Sequence, residues 1–175
     1  MSDFRNSYED AQRAFAYDEL GLGGTYGLAF DTLRTLLPDR EIGKRALDFS
    51  CGTGRSGRFL IGLASLLSGG GRMVNVVSTP EIYTHEWVTF TTRDFPGNRT
   101  AQPGDLVRIV TTEYSDARPV DDVLWPDEWY KAVYEEAGLE EVVVERPLAS
   151  GDEGVSWKSE TLVPPWAIYV LKRKG

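Results

Sequence analysis

Between Tyr8 and Leu20, positions Ala11, Ala14, Phe15 and Asp18 recur at helical spacing, and Gly21, Gly23 and Gly24 end the run, which predicts a first helix. A second helix is predicted over Thr25 to Leu37, where Leu28, Ala29, Leu33, Leu36 and Leu37 form an apolar stripe that Pro38 closes. Arg45 to Phe49 reads as a short strand that runs into Ser50-Cys51-Gly52-Thr53-Gly54 and then a helical repeat through Leu60, Leu63, Leu66 and Leu67. Gly69, Gly70 and Gly71 break that helix, and the β-branched residues of Met73 to Val77 predict another strand. Strand, glycine loop, helix and strand together span about the 30 residues that a βαβ unit requires.

Further on, Trp87 to Thr92 and Leu106 to Thr112 predict two strands of a hairpin joined by a long loop containing Pro and Gly. Pro126-Asp127-Glu128 opens an acid-capped helix that Gly138 closes, and Glu141 to Val144 follows as a strand. The strongest late strand lies within Pro165 to Arg173, where Trp166-Ala167-Ile168-Tyr169-Val170-Leu171 is unbroken. No internal repeat, low-complexity tract or interdomain linker interrupts the pattern, so one domain is expected.

Asp48-Phe49-Ser50-Cys51-Gly52-Thr53-Gly54 sets two glycines between a strand and a helix. Without Cβ atoms the backbone there admits a close ligand, and the helix start presents free N–H donors. A lone GxG also serves simple tight turns, so the loop by itself leaves a ligand site and a structural turn about equally open.

Ala46 to Gly54 resembles the first motif of class I S-adenosylmethionine-dependent methyltransferases. Leu66 to Val74 resembles the turn before that family's fifth strand, and Trp125 to Leu139 the helix entering its sixth. The N-terminal region with Tyr8, Tyr17 and Tyr26 resembles the cofactor-covering part of its small-molecule members. The resemblance implies a shortened Rossmann-like α/β fold, with a mixed sheet and N-terminal helices. Residues 1–40 would cover the cofactor, 45–77 form the βαβ unit with the glycine loop, and 81–175 supply the C-terminal strands and helix. It implies S-adenosylmethionine as cofactor, S-adenosylhomocysteine as product and a small-molecule methyl acceptor. Asp48, Ser50, Gly52, Gly54 and Tyr17 would bind the cofactor, and no catalytic residue is assigned.

The family normally has three more strands between its first motif and the turn before its fifth strand, whereas only residues 55–69 intervene here. Strands two to four are missing from this reading, and the sheet is expected to run through strands one, five, seven and six. No Asp or Glu occurs between Asp48 and Glu81, so the acid expected about 20 residues past such a loop, to hold the ribose hydroxyls, has no candidate. Loss of its neighbours leaves strand one as an apolar edge that a homodimer is expected to cover. The rival expectation is a non-catalytic scaffold or interaction protein that has kept the fold and lost half of the cofactor site.

Composition narrows the remaining classes. The 175 residues are 41% hydrophobic and 26% charged, the balance of a globular domain. One cysteine and one histidine exclude an internal disulfide and a four-ligand zinc site, so a reducing cytoplasm without a bound metal is expected. No apolar run of membrane-spanning length occurs, and the first residues lack the layout of a signal peptide. The net charge is −8, and Glu113 to Glu160 holds 14 acids against 4 bases, which argues against nucleic acid as a partner. His85 reads as a loop residue more readily than as a general base, and Cys51 as a small loop residue more readily than as a nucleophile. Most of the five tryptophans, like Tyr17 and Tyr26 at helical spacing, fit core packing better than a pocket or a cover for the cofactor.

Overall fold

The computed structural model describes residues 10–13, 23–37, 64, 67, 70–113 and 117–174. In chain order its elements are α1 (Gly24–Leu36), β1 (Arg72–Ser78), β2 (Phe90–Thr91), β3 (Leu106–Thr111), β4 (Val120–Val123), α2 (Asp127–Glu136), β5 (Leu139–Glu145) and β6 (Trp166–Arg173). Short 3₁₀ turns occupy Pro80–Tyr83 and Pro96–Thr100.

The unbroken apolar run of β6 suits a strand covered on both faces, and β6 is the middle strand of a sheet ordered β1-β6-β5. Its residues Trp166 through Leu171 are all buried. Because side chains alternate across a strand, the even and odd positions feed different cores. Trp166 and Ile168 join Ala29, Ile82, Tyr83, Trp87, Phe90 and Val107 on the face carrying α1 and the second sheet. Ala167, Tyr169 and Leu171 join Tyr134, Leu139 and Ala64 on the face carrying α2. The second sheet, β2-β3-β4, is also three-stranded.

Every pairing between described strands is antiparallel, so the architecture is mixed α/β with two small antiparallel sheets. The α/β class is as expected, and no parallel pair occurs among the described residues. The strand expected at 45–49, and with it the parallel neighbour of β1, lies outside them, as do most of the helices expected at 8–20 and 55–67.

Local chemistry explains the remaining differences. The strand expected over Trp87 to Thr92 shrinks to Phe90–Thr91 because Trp87 N bonds Phe90 O at 3.1 Å and closes a tight turn. The Glu86 carboxylate locks that turn by accepting from Thr91 Oγ1 and Thr92 N, each at 2.8 Å. Strand β4 was not expected, since Val-Asp-Asp-Val has poor strand propensity. Its two acids are held by partners on other segments: Asp121 by Arg108 Nε at 2.6 Å, and Asp122 by Tyr83. In α1 the stripe faces the core through Ala29, with Leu28, Leu33 and Leu36 packed beside it, whereas Leu37 caps the helix and is exposed.

A buried carboxylate joins these parts. Glu160 is fully buried, and its Oε1 accepts from Thr25 Oγ1 and Val88 N at 2.7 Å each, while Oε2 accepts from Lys158 N at 2.9 Å. Trp166 Nε1 donates to Thr25 O at 2.7 Å, so the start of α1 is tied both to the 158–160 turn and to β6. Each Glu160 oxygen is occupied by a donor, which makes this residue structural.

Candidate functional site

The residues expected to bind a cofactor, Asp48, Ser50, Gly52, Gly54 and Tyr17, lie outside the described residues, as does Cys51. Tyr26 belongs to the core: its ring stacks on Trp166 at 5.5 Å and meets the edge of Phe90 at 5.1 Å. His85 is a loop residue whose Nδ1 lies 3.1 Å from Glu81 O and 3.0 Å from Thr84 Oγ1, with no acid paired to it among the described residues. Trp87 and Trp166 are buried in the core, and Trp157 sits in the 150–160 loop, donating to Glu153 Oε2 at 2.9 Å.

Trp125 takes a different position. With Tyr130 and Tyr169 it lines a cleft of about 220 Å³ at the carboxyl end of β1, which is closed by Val77, Ser78, Pro126 and Ala167 and rimmed by Glu81, Asp127, Glu128 and Arg146. The geometry follows from the topology. Strand β1 runs out at Ser78, the chain turns through Pro80–Tyr83, and α2 begins beside it because Pro126 caps a helix whose first turn carries Asp127 and Glu128. Acids in the first turn suit the positive end of the helix dipole.

Asp127 is the fixed point of the rim. It accepts the Tyr169 hydroxyl, bonds Arg146 Nη2 at 2.6 Å and meets Lys131 Nζ at 3.1 Å, so its one negative charge faces two cations. Glu81 and Glu128, by contrast, are exposed and have no ion-pair partner among the described residues. Trp125 meets Trp129 edge to face at 4.9 Å, and its indole Nε1 is buried without a hydrogen-bond partner among the described residues.

Behind the cleft lies a pair of titrating groups. Tyr83 donates its hydroxyl to Asp122 Oδ2 at 2.5 Å. Burial raises the Asp122 carboxyl above its ordinary range, and the bonds from Tyr83 and from Val123 N only partly offset this. Burial, reinforced by the Asp122 charge, likewise holds the Tyr83 phenol well above its usual value. Tyr130 is raised by the same two causes in the same order, so all three stay protonated to higher pH than their free counterparts.

Sequence reasoning placed α2 and its acids but not the cleft they rim. The signal was present in Trp125-Pro126-Asp127-Glu128-Trp129-Tyr130, where aromatic and acidic residues share one helix start. Among the described residues no group of three or more His, Cys, Asp or Glu is placed to hold a metal ion. No helix of the described residues is long and apolar enough to cross a membrane. No protein-family model matches the chain, and no curated protein matches it.

Proposed function

We propose that this chain is a shortened Rossmann-like methyltransferase that uses S-adenosylmethionine and holds a small acceptor molecule in the cleft at the end of β1. One observation carries the reading: the sheet order β1-β6-β5, with β6 antiparallel to both neighbours and α2 leading into β5. That is the order of fifth, seventh and sixth strands implied by the resemblance, and β1 follows Gly70 where the fifth strand was expected. Ligands of open α/β sheets settle outside the carboxyl ends of the strands, where this cleft lies.

The donor set of the glycine loop fits the methionine end of the cofactor. Asp48 and Ser50 offer a carboxylate and a hydroxyl, and Gly52 and Gly54 would leave room ahead of the N–H groups of the helix expected after them. When bound, S-adenosylmethionine supplies an electrophilic methyl group. The described residues supply positioning: Trp125 and Tyr130 wall the cleft over the buried Tyr169, and the Asp127 cluster fixes its rim. Strand β1 has a described partner on one side only, so the proposal includes a homodimer that covers the expected strand at 45–49.

The scaffold reading is favoured by one feature, the lack of any acid between Asp48 and Glu81 to hold a ribose. Calorimetric titration with S-adenosylmethionine separates the two: heat of binding supports the enzyme, and none supports the scaffold.

A further inference from the structure

The cleft has a chemistry that goes further than its position. Three aromatic side chains, Trp125, Tyr130 and Tyr169, form its wall, and two exposed carboxylates without ion-pair partners, Glu81 and Glu128, stand on its rim. Arg146, the one base lining it, is occupied by Asp127 at 2.6 Å, and Lys131 shares the same carboxylate at 3.1 Å. One carboxylate cannot cancel both cations, so this cluster carries one net positive charge against two negative ones on Glu81 and Glu128, and the rim as a whole is negative.

We infer that the cleft is a binding site for a small organic cation, an amine bearing an aromatic or alkyl group, held by its charge at Glu81 and Glu128 and by its body on Trp125 and Tyr130, with the buried Tyr169 backing them. Aromatic faces attract cations, and nearby carboxylates reinforce the attraction. A hard metal ion fits less well, because no three carboxylate, histidine or cysteine groups among the described residues converge on one point. An anion would meet two carboxylates, Glu81 and Glu128, against a single net positive charge on the Asp127, Arg146 and Lys131 cluster. The volume of about 220 Å³ lies below that of pockets for drug-sized ligands, which limits the occupant to a compact amine. In naming an acceptor class this rests on the methyl-transfer reading of the same cleft, but the binding needs no cofactor and is measured without one.

The test is a titration at neutral pH with three probes of similar shape: phenethylammonium, 2-phenylethanol and 3-phenylpropanoate. Binding is followed by tryptophan fluorescence and by the indole N–H resonances in a heteronuclear NMR spectrum. The expected result is saturable binding of the cation, with the alcohol roughly three- to tenfold weaker and the carboxylate weaker still. The double substitution Glu81→Gln, Glu128→Gln, at exposed positions where folding is insensitive, should bring the cation down to the level of the alcohol. Equal binding of all three probes, no binding of the cation, or an unchanged preference in the double variant would overturn the inference. Binding of the cation by a chain that ignores S-adenosylmethionine would sink the methyl-transfer reading and leave the amine site standing.

Discussion

Thr25 Oγ1 donates to Glu160 Oε1 at 2.7 Å across 135 residues of chain, and both side chains are fully buried. With Val88 N and Lys158 N on the same carboxylate, this contact joins the start of α1 to the two loops that flank the β6 core. Glu160→Ala leaves the buried Thr25 hydroxyl and the half-buried Val88 and Lys158 N–H groups without their acceptor and is expected to destabilise the fold by about 2–4 kcal/mol. Glu160→Gln keeps one acceptor oxygen and should cost less. Urea unfolding of the two variants checks this, and a loss under about 1 kcal/mol for Glu160→Ala would show that water replaces the carboxylate.

Gly24 starts α1 with φ of +55°, and a Cβ there would lie 2.7 Å from Thr89 Cγ2 and 3.0 Å from Glu113 Oε1. Gly138 has φ of +71° but nothing within 4 Å of its Cβ position. Gly138→Ala should therefore show the backbone cost alone, about 1 kcal/mol, while Gly24→Ala adds a steric cost and should lose about 2–3 kcal/mol. Thermal unfolding of the pair measures the difference, and equal losses would place the start of α1 elsewhere.

The raised carboxyl of Asp122 has a definite sign in stability. Its folded pKa lies above the ordinary value of 3.8, so above that pH the folded state keeps a proton that the unfolded state releases. That contribution favours folding at low pH and is lost as pH rises through the folded value. Asp122→Asn, whose amide oxygen still accepts from Tyr83, should gain stability relative to the parent as pH increases from 4 to 7. Melting temperatures of both proteins across that range test it. The comparison cancels the opposite slopes of Glu86 and Glu153, whose carboxyls are lowered, the latter to about 2 by bonds from Ser150 N and Trp157 Nε1. Parallel curves would show that Asp122 ionises freely.

Association offers a fourth test. A homodimer that covers strand 45–49 should give twice the 19.5 kDa chain mass by light scattering at micromolar concentration. A monomer whose amides from Arg45 to Phe49 resist exchange would contradict it.

Periodicity carried much of the fold. The stripe of α1, the apolar run of β6 and the acid-opened α2 each produced the element that the sequence predicts, because local pattern and burial agree there. Where they disagree the sequence was silent: Val120–Val123 pairs with β3 as a strand while Arg108 and Tyr83 hold its two acids. Glu160 reads as a surface acid and is a core hub, since its three donors come from positions 25, 88 and 158. The cleft was hidden for the same reason, as its walls meet only when β1, α2 and β6 are assembled. The expected cofactor residues, Asp48, Ser50, Gly52, Gly54 and Tyr17, stand on sequence alone.

Calorimetric titration with S-adenosylmethionine and S-adenosylhomocysteine, on the parent and on Gly52→Val, addresses the central claim most directly. A branched side chain at Gly52 fills the space that the ligand's close approach needs. The account predicts weak binding of both compounds to the parent, because the ribose acid is missing, and none to a folded Gly52→Val protein. Absence of heat with the parent, or undiminished affinity in the variant, would contradict it.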